Sequence, residues 1–448
     1  MIGAGISGLA CAYLLKKRGC PVVLLEKDSR VGGVIQTVQQ DGFLFELGPQ
    51  SFLETEFLNQ LVVELGLQSE VVRADPKATR FVLTGGRLHP LPLSPSALLG
   101  TTLLSVGEKW RLFTEVFRAT RPPAADESVA AFVRRKFGEQ LLENFAAPFV
   151  SGVYAGDPEQ LSLRSAFPTI FLWENQYGSV LRGAMRSRPP KKGPSPSLST
   201  FRGGMAQLTH VLADSLGDIC VRGIRDLSIA RTEGRVRGAY EVRYLLGSEG
   251  RIVQCDAIVV ATPTQAAATL LCGVSASLGR TLSRIKYAPV AVVNTGFKRE
   301  QVTHSLNGFG FLVTPKEQRQ TLGTVWNSSL FPGRAPRGTV SMTTFCGGAT
   351  NPELRAMSES RLGQIVVREL SGLLGIRGAP ISQLVWRHER ALPQYELGHA
   401  EAVATMESEL TRLPGLFLTG NYLRGPSIGA CVEEADRTAT AVAKYLDA

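Results

Sequence analysis

Residues 2–8 read Ile-Gly-Ala-Gly-Ile-Ser-Gly, and the spacing Gly3-x-Gly5-x-x-Gly8 suits the binding of a dinucleotide. Gly3 permits a tight turn, Gly5 lets backbone approach a pyrophosphate, and Gly8 lets the following helix pack close to a sheet. Ile6 and Ser7 would add backbone N–H groups at a helix N-terminus, where the dipole favours phosphate. Glu26 stands about where a carboxylate would accept from a ribose hydroxyl. Arg30-Val31-Gly32-Gly33 adds a cation and a second glycine pair. A glycine-rich turn of any α/β domain is the plain alternative; turn, helix, strand and acid following in order argue against it. These residues alone leave NAD and FAD both open. There is no second Gly-x-Gly-x-x-Gly, which disfavours an NAD(P)-dependent flavin reductase.

Other reactive side chains are sparse. The cysteines are Cys11, Cys20, Cys220, Cys255, Cys272, Cys346 and Cys431. None forms a C-x-x-C pair and their number is odd, so neither a metal site nor a disulfide framework is expected, and a reducing compartment fits. His399 is a base by type, but it reads better as a structural histidine, and no catalytic acid or base is assigned.

These residues need a scaffold. Helical spacing runs from Ile6 to Arg18 with Gly19 as its stop, and Pro21–Leu25 reads as a buried strand ending at Glu26. The strand that should precede Gly3 retains only Met1 and Ile2, which reads as a truncated or misassigned start. A helix is expected around Glu54–Leu65 and a hairpin over Arg80–Pro92, turning at Gly85-Gly86. Residues 93–185 are helix-rich, and Asp126-Glu127-Ser128 would open one helix. Arg186–Thr200, rich in Pro, Ser and positive charge, reads as a mobile loop. Order resumes at Phe201, with a helix to Leu216, strands at 220–221 and 227–229, and a buried strand ending at Ala261-Thr262-Pro263. Glu353–Leu374 is the clearest later helix. Phe417–Asn421 is a last strand, Gly425–Gly429 a loop and Ala430–Leu446 a terminal helix. The predicted class is α/β with α+β insertions, both ends of the chain belonging to the nucleotide-binding unit.

The 448 residues are enough for two or three domains. The net charge of +10 suggests an anionic lipid surface or an acidic small molecule; no nucleic-acid module is visible. No run of about 18 apolar residues is present, so no spanning helix is expected.

The chain resembles the flavin-containing amine oxidase superfamily and, within it, the protoporphyrinogen oxidase family. The general motifs are the first glycine loop, Glu26, Arg30–Gly33, Phe45-Glu46-Leu47-Gly48-Pro49 and the segment from Thr419-Gly420-Asn421 to Glu434. The narrower ones are Gly152–Asp157 with Leu161–Arg164, Gly308–Val313, Pro393-Gln394-Tyr395-x-Leu397-Gly398-His399 and Cys431-Val432-Glu433. The resemblance implies a doubly wound FAD-binding domain (1–78, 201–268, 408–448), a mixed-sheet substrate domain (79–92, 269–407) and a helical membrane-binding domain (93–200, with loop 186–200). It implies FAD held by Gly3, Gly5, Ile6, Ser7, Gly8, Glu26, Arg30, Gly32, Gly33, Gly48, Pro49, Ile224, Ala261, Gly420, Ser427, Ile428 and Gly429. It implies a porphyrinogen substrate bound by Arg80, Gly152, Phe309 and Leu312, with Arg80 on a propionate. Without the resemblance, Arg80 reads as a solvated strand arginine and Phe309 as a core aromatic.

The implied activity is FAD-dependent oxidation of protoporphyrinogen IX to protoporphyrin IX in haem biosynthesis, with O2 as acceptor and H2O2 formed, in a cytoplasmic protein peripherally bound to an anionic membrane. For that contact the apolar run Ala97–Leu104 is expected to act with Lys109, Arg111, Arg118 and Arg121. Coproporphyrinogen III oxidation is the near alternative; an amine oxidase, a carotenoid desaturase and a non-catalytic flavin or tetrapyrrole carrier stand further off. A homodimer and a quinone acceptor are left open.

Overall fold

The computed structural model describes residues 1–447 apart from 93, 121, 188–196 and 233–238, and leaves the side chains of 95, 96 and 355 undescribed. Short parallel strands form the first layer. Leu24–Glu26 pairs with Cys220–Arg222, and Ile258–Val260 pairs with Leu416–Leu418. Ile2 bridges Leu25 on one side and Val260 on the other. The two residues before Gly3 therefore fill the central position of the sheet. Met1 carbonyl accepts from Leu25 N–H at 2.9 Å, and Ile2 N–H donates to Val259 at 2.9 Å.

Both faces of this sheet are covered, as a parallel sheet requires. One face carries helices Ile6–Lys17, Glu56–Glu64, Ala206–Leu216 and Ile428–Asp447, whose Leu9, Leu58, Leu208 and Val432 are fully or almost fully buried. The other carries a three-stranded antiparallel sheet, Ile224–Arg231, Tyr240–Leu246 and Glu249–Cys255, together with helices Thr264–Leu271, Ala276–Ser283 and His399–Thr411.

A seven-stranded mixed sheet forms the second unit. Its order is Ser382–Pro393, Tyr287–Lys298, Thr339–Gly347, Thr321–Val325, Gly310–Val313, Arg80–Thr84, Arg87–Pro90. Only the Gly310–Val313/Arg80–Thr84 pair is parallel. The tight hairpin at Gly85-Gly86 has positive φ at both residues, a turn in which glycine is favoured.

Short helices between 95 and 186 make the third unit, packed around Phe132, Leu142, Val150 and Leu161. Ser128 caps the helix Val129–Lys136 by accepting from Ala131 N–H.

Several boundaries differ from the sequence expectation. Leu198–Thr200, expected within a mobile loop, belong to a strand, Leu198–Phe201, between Phe52–Leu53 and Val71–Arg73; most of the expected loop lies outside the described residues. The helix expected from Glu353 begins at Glu359, where Ser358 caps it, with a single 3₁₀ turn before it. Ile428 and Gly429 belong to the terminal helix rather than to a loop, since Ser427 hydroxyl accepts from Ala430 N–H and starts the helix there.

Candidate active site

The glycine loops meet at the C-terminal ends of the parallel strands, beside the centre of the sheet. Gly5 bridges Gly32, and Gly32 N–H donates to Ala4 carbonyl at 2.8 Å. A Cβ on Gly8 would stand 1.9 Å from Gly3 oxygen and 3.2 Å from Ala261 Cβ, so turn, helix and the Ala261 segment close together only with glycine there. A Cβ on Gly5 would meet nothing within 4 Å. That open side, at the start of a helix with no side-chain cap, leaves N–H groups of Ile6 and Ser7 facing room for a phosphate. Gly48 packs on Val34 carbonyl, so Gly48 and Pro49 continue the wall begun by Arg30, Gly32 and Gly33.

Glu26 is buried at the end of its strand. Its carboxylate accepts from Ala4 N–H at 2.6 Å and Asp28 N–H at 2.9 Å. Each oxygen keeps a lone pair for a hydroxyl. Ile224 starts the strand after Gly223, whose N–H donates to Asp28 carbonyl at 3.1 Å, and so lies beside the acid.

The terminal helix closes this ring of backbone. Cys431, on this helix, is buried, which pushes its thiol up to about 11. A Cβ on Gly429 would come within 3.1 Å of Thr55. Among the buried hydroxyls that find no partner in the described residues are those of Thr262, Thr419 and Tyr422. They flank Ala261 and Gly420. Buried polar groups left unsatisfied are costly, and a polar cofactor lying between these residues would satisfy them. With the open glycine loop, this donor and acceptor set fits a dinucleotide.

The substrate residues gather on adjacent strands. Arg80 is paired in register with Gly310. Its guanidinium sits over the Phe309 ring, 5.3 Å from the centroid. Phe309 is held by two backbone bonds, N–H to Thr79 carbonyl at 2.8 Å and carbonyl from Trp326 N–H at 3.0 Å. Gly152, on the helix Ala147–Tyr154, faces Leu312 so closely that a Cβ would fall 2.3 Å from Leu312 Cδ2. Arg80 with Phe309 and Gly152 with Leu312 thus form two contacting pairs along the strand Gly310–Val313.

Sequence reading missed the polar bonds that join the units. Glu46, named only within a motif, forms a buried ion pair with Arg334 at 2.9 Å and accepts from Met205 N–H and Thr37 hydroxyl. Burial raises the Glu46 carboxyl despite the arginine. Nearby, Asn327 donates to Gln50 at 3.0 Å, and Asn294 donates to Glu46 carbonyl at 3.0 Å. His388 binds Leu47 carbonyl at 2.6 Å, directly before Gly48. Apart from Thr37, which faces Glu46 across a hairpin, the partners are more than 150 residues apart in sequence, and no local spacing could pair them.

The described cations expected at a membrane face each bond a backbone carbonyl near a helix end. Lys109 donates to Leu99 carbonyl, Arg111 to Arg134 and Arg135 carbonyls, and Arg118 to Arg111 and Lys136 carbonyls. They saturate helix C-termini, where cations are favoured. Arg121 lies outside the described residues. Within Ala97–Leu104, Leu103 and Leu104 are buried. No described helix is long and apolar enough to cross a membrane, and no His/Cys/Asp/Glu cluster among the described residues could hold a metal.

The chain is similar to characterised proteins along its whole length. It is 34% identical over 472 residues to the chloroplastic protoporphyrinogen oxidase of Nicotiana tabacum, covering 100% of this chain and 85% of that one. It is 28% identical to the coproporphyrinogen III oxidase of Bacillus subtilis (strain 168), covering 100% and 98%. A crystal structure of a candidate protoporphyrinogen oxidase from Exiguobacterium sp. 255-15 superposes with a TM-score of 0.83 at 26% identity, covering 100% and 98%. The model of the flavin containing amine oxidoreductases matches residues 6–443, a span that takes in the second glycine pair, the mixed sheet and most of the terminal helix, and the chain belongs to that family of flavin-dependent oxidoreductases.

Proposed function

We propose that this chain oxidises protoporphyrinogen IX to protoporphyrin IX, with FAD as cofactor and O2 as acceptor, in porphyrin biosynthesis. One observation carries the reading: a guanidinium stacked on an aromatic ring, Arg80 on Phe309 at 5.3 Å, beside the apolar Gly152–Leu312 wall. A flexible tetrapyrrole with propionate tails needs that combination of an apolar face and one forked cation. The similarity to the tobacco enzyme supports it.

In this reading Gly3, Gly5, Ile6, Ser7 and Gly8 hold the pyrophosphate, Glu26 the ribose, Ile224 and Ala261 the adenine end, and Arg30, Gly32, Gly33, Gly48 and Pro49 the middle. Gly420 and the loop to Gly429, with Ser427 and Ile428, would approach the ribityl chain, and the N-terminus of the terminal helix would face the ring system, where its N–H groups favour developing negative charge. Bound FAD supplies the hydride acceptor and passes electrons to O2, giving H2O2. Phe309 and Leu312 orient the macrocycle, Arg80 anchors a propionate, and the narrow Gly152–Leu312 contact excludes water. Catalysis rests mainly on orientation and burial. His399 is bound to Tyr422 carbonyl at 2.8 Å and buried, so it is spent on structure.

We further read the 95–186 unit as a peripheral membrane contact. Val106, Trp110 and Phe117 are 83%, 72% and 81% exposed, which suits an apolar face lodged in the lipid interface. The Bacillus relative, matched over 98% of its length, favours coproporphyrinogen III as a second substrate reading. Anaerobically prepared proto- and coproporphyrinogen, offered side by side to the FAD-loaded chain, decide between them. Protoporphyrin fluorescence rising with H2O2 is expected. A higher kcat/KM on coproporphyrinogen would install the second reading, and no porphyrin from either would overturn both.

A further inference from the structure

The segment Pro393–His399 belongs to no part of the chemistry described above, yet it touches all three units. Toward the helical unit, Ser162 N–H donates to Tyr395 carbonyl at 2.8 Å and Leu397 N–H to Gln160 carbonyl at 2.9 Å. Gly398 N–H donates to Asp126 at 3.0 Å, and Asp126 also accepts from Ser162 hydroxyl at 2.8 Å. Gln394 side-chain amide donates to Tyr154 carbonyl at 2.9 Å, at the end of the helix that carries Gly152. Toward the mixed sheet, the segment continues the strand Ser382–Pro393, and Gln394 N–H donates to Lys286 carbonyl at 2.9 Å.

Toward the cofactor side there are two side-chain bonds, and both go to the loop immediately after Gly420. Tyr395 hydroxyl donates to Asn421 carbonyl. His399 Nε2 bonds Tyr422 carbonyl at 2.8 Å. The two rings are stacked, centroids 4.2 Å apart and planes 20° apart, and Tyr154 packs edge-on to Tyr395 at 6.2 Å. Tyr395 is 1% exposed. Burial lowers the His399 imidazole, so its neutral ring donates one N–H to that carbonyl.

We infer that Tyr395 and His399 are positioning residues that set the loop Gly420–Tyr422, and so the flavin it would line, at a fixed height over the substrate wall at Gly152. The warrant is mechanical. Hydride transfer depends on near contact of donor and acceptor, and a displacement of about 1 Å can cost on the order of 10²-fold in rate. The walls in question come from units far apart in sequence, helix Ala147–Tyr154 and the loop after Leu416–Leu418. This segment grips both at once, through the Gln394 side-chain amide on Tyr154 carbonyl for one and through the Tyr395 and His399 bonds of a stacked, buried ring pair for the other. The inference rests on the porphyrinogen reading for its rate effect but not for its effect on flavin geometry.

The test compares Tyr395→Phe, His399→Phe and His399→Gln in the FAD-loaded full chain. Tyr395→Phe keeps the ring and loses one donor; His399→Gln keeps a donor that His399→Phe loses. The visible circular dichroism of bound flavin is expected to change in both Phe variants. Anaerobic flavin reduction by protoporphyrinogen is expected to slow roughly 10- to 100-fold, with FAD still bound stoichiometrically. His399→Gln is expected to lie closer to the parent than His399→Phe in both readouts. A parent-like dichroism band in Tyr395→Phe and His399→Phe overturns the positioning role, as does a rate loss that tracks lost FAD alone. If the parent chain itself is not reduced by porphyrinogen, the functional reading fails, and the dichroism still decides the positioning role.

Discussion

Arg80 is informative for what it does not pair with. Among the described residues no carboxylate forms an ion pair with it, whereas many other arginines here are paired. Its charge rests on the face of Phe309 instead, leaving the forked N–H edge available to a ligand. A bidentate guanidinium–carboxylate contact is roughly twice as strong as a neutral hydrogen bond. Arg80→Ala is therefore expected to lower kcat/KM for protoporphyrinogen by about 10- to 100-fold, mostly through KM. Arg80→Lys should recover only part, because an ammonium cannot present a fork; an unchanged KM in Arg80→Ala would remove the propionate role. The histidines make a separate prediction about pH. Burial lowers His388 and His399 below the usual imidazole value. The unfolded chain then binds more protons than the folded one just below pH about 6.5, and stability must fall as pH drops through that range. A thermal midpoint that decreases from pH 7 to pH 5, and decreases less in His399→Gln, is the expected result. A flat midpoint would mean that neither ring is held neutral by burial.

At the level of elements, local signals served well where they were local. The glycine loop, the hairpin at Gly85-Gly86 and the Ser128 cap were legible because turn chemistry and hydrophobic period act within a few residues. The charges were not, because their partners are remote. Arg111 and Arg118 read from sequence as cations near an apolar run, and their bonds to the carbonyls ending neighbouring helices were not legible there. Beneath them lies a buried set that no spacing announces. Lys136, 2% exposed in its side chain, stands 3.4 Å from Glu115 and 3.0 Å from Glu174, both fully buried. Arg135 joins Glu174 at 2.8 Å and Glu127 at 2.7 Å. Burial alone would raise Glu174, but bonds from Arg135, Thr120 and Lys136 outweigh it and hold the carboxyl low. Glu115 also caps the helix Val180–Arg186 through Val180 N–H at 2.9 Å and Ser179 hydroxyl at 2.6 Å. Removing one partner of a buried pair strands the other charges. Lys136→Met is expected to destabilise the protein by roughly 3–5 kcal/mol, and adding Glu174→Gln should recover part of that loss. Denaturant unfolding of both variants checks it; a single variant with parent stability would mean that the pair is solvated.

On the scale of the whole molecule, the chain threads three units together more than once, and the sequence motifs recorded the surfaces of that assembly better than its joints. Phe45–Pro49 and Pro393–His399 were visible as motifs, while their work emerges only from contacts such as Glu46 with Arg334 and Tyr395 with Asn421. The same view alters the expected membrane contact. The basic side chains beside the apolar run donate to helix-end carbonyls, which fixes their positions without neutralising their charge. Large apolar side chains also stand clear of the protein: Leu99, Val106, Trp110 and Phe117 on one stretch, with Leu172 and Met185 on the neighbouring helices. Burying aromatic rings at the lipid interface contributes free energy that salt does not screen, unlike attraction between exposed charges. Binding to vesicles is therefore expected to depend on Trp110 and Phe117 more than on ionic strength. In flotation with vesicles containing anionic lipid, the double substitution Trp110→Ser with Phe117→Ser should abolish most of the bound fraction, while raising salt from about 0.1 M to about 1 M, where the Debye length falls from about 10 Å to about 3 Å, should leave most of it in place. Loss of binding to salt with the double variant still floating would assign the contact to the cations instead, and no flotation of the parent chain at either salt would remove the membrane role of this unit altogether.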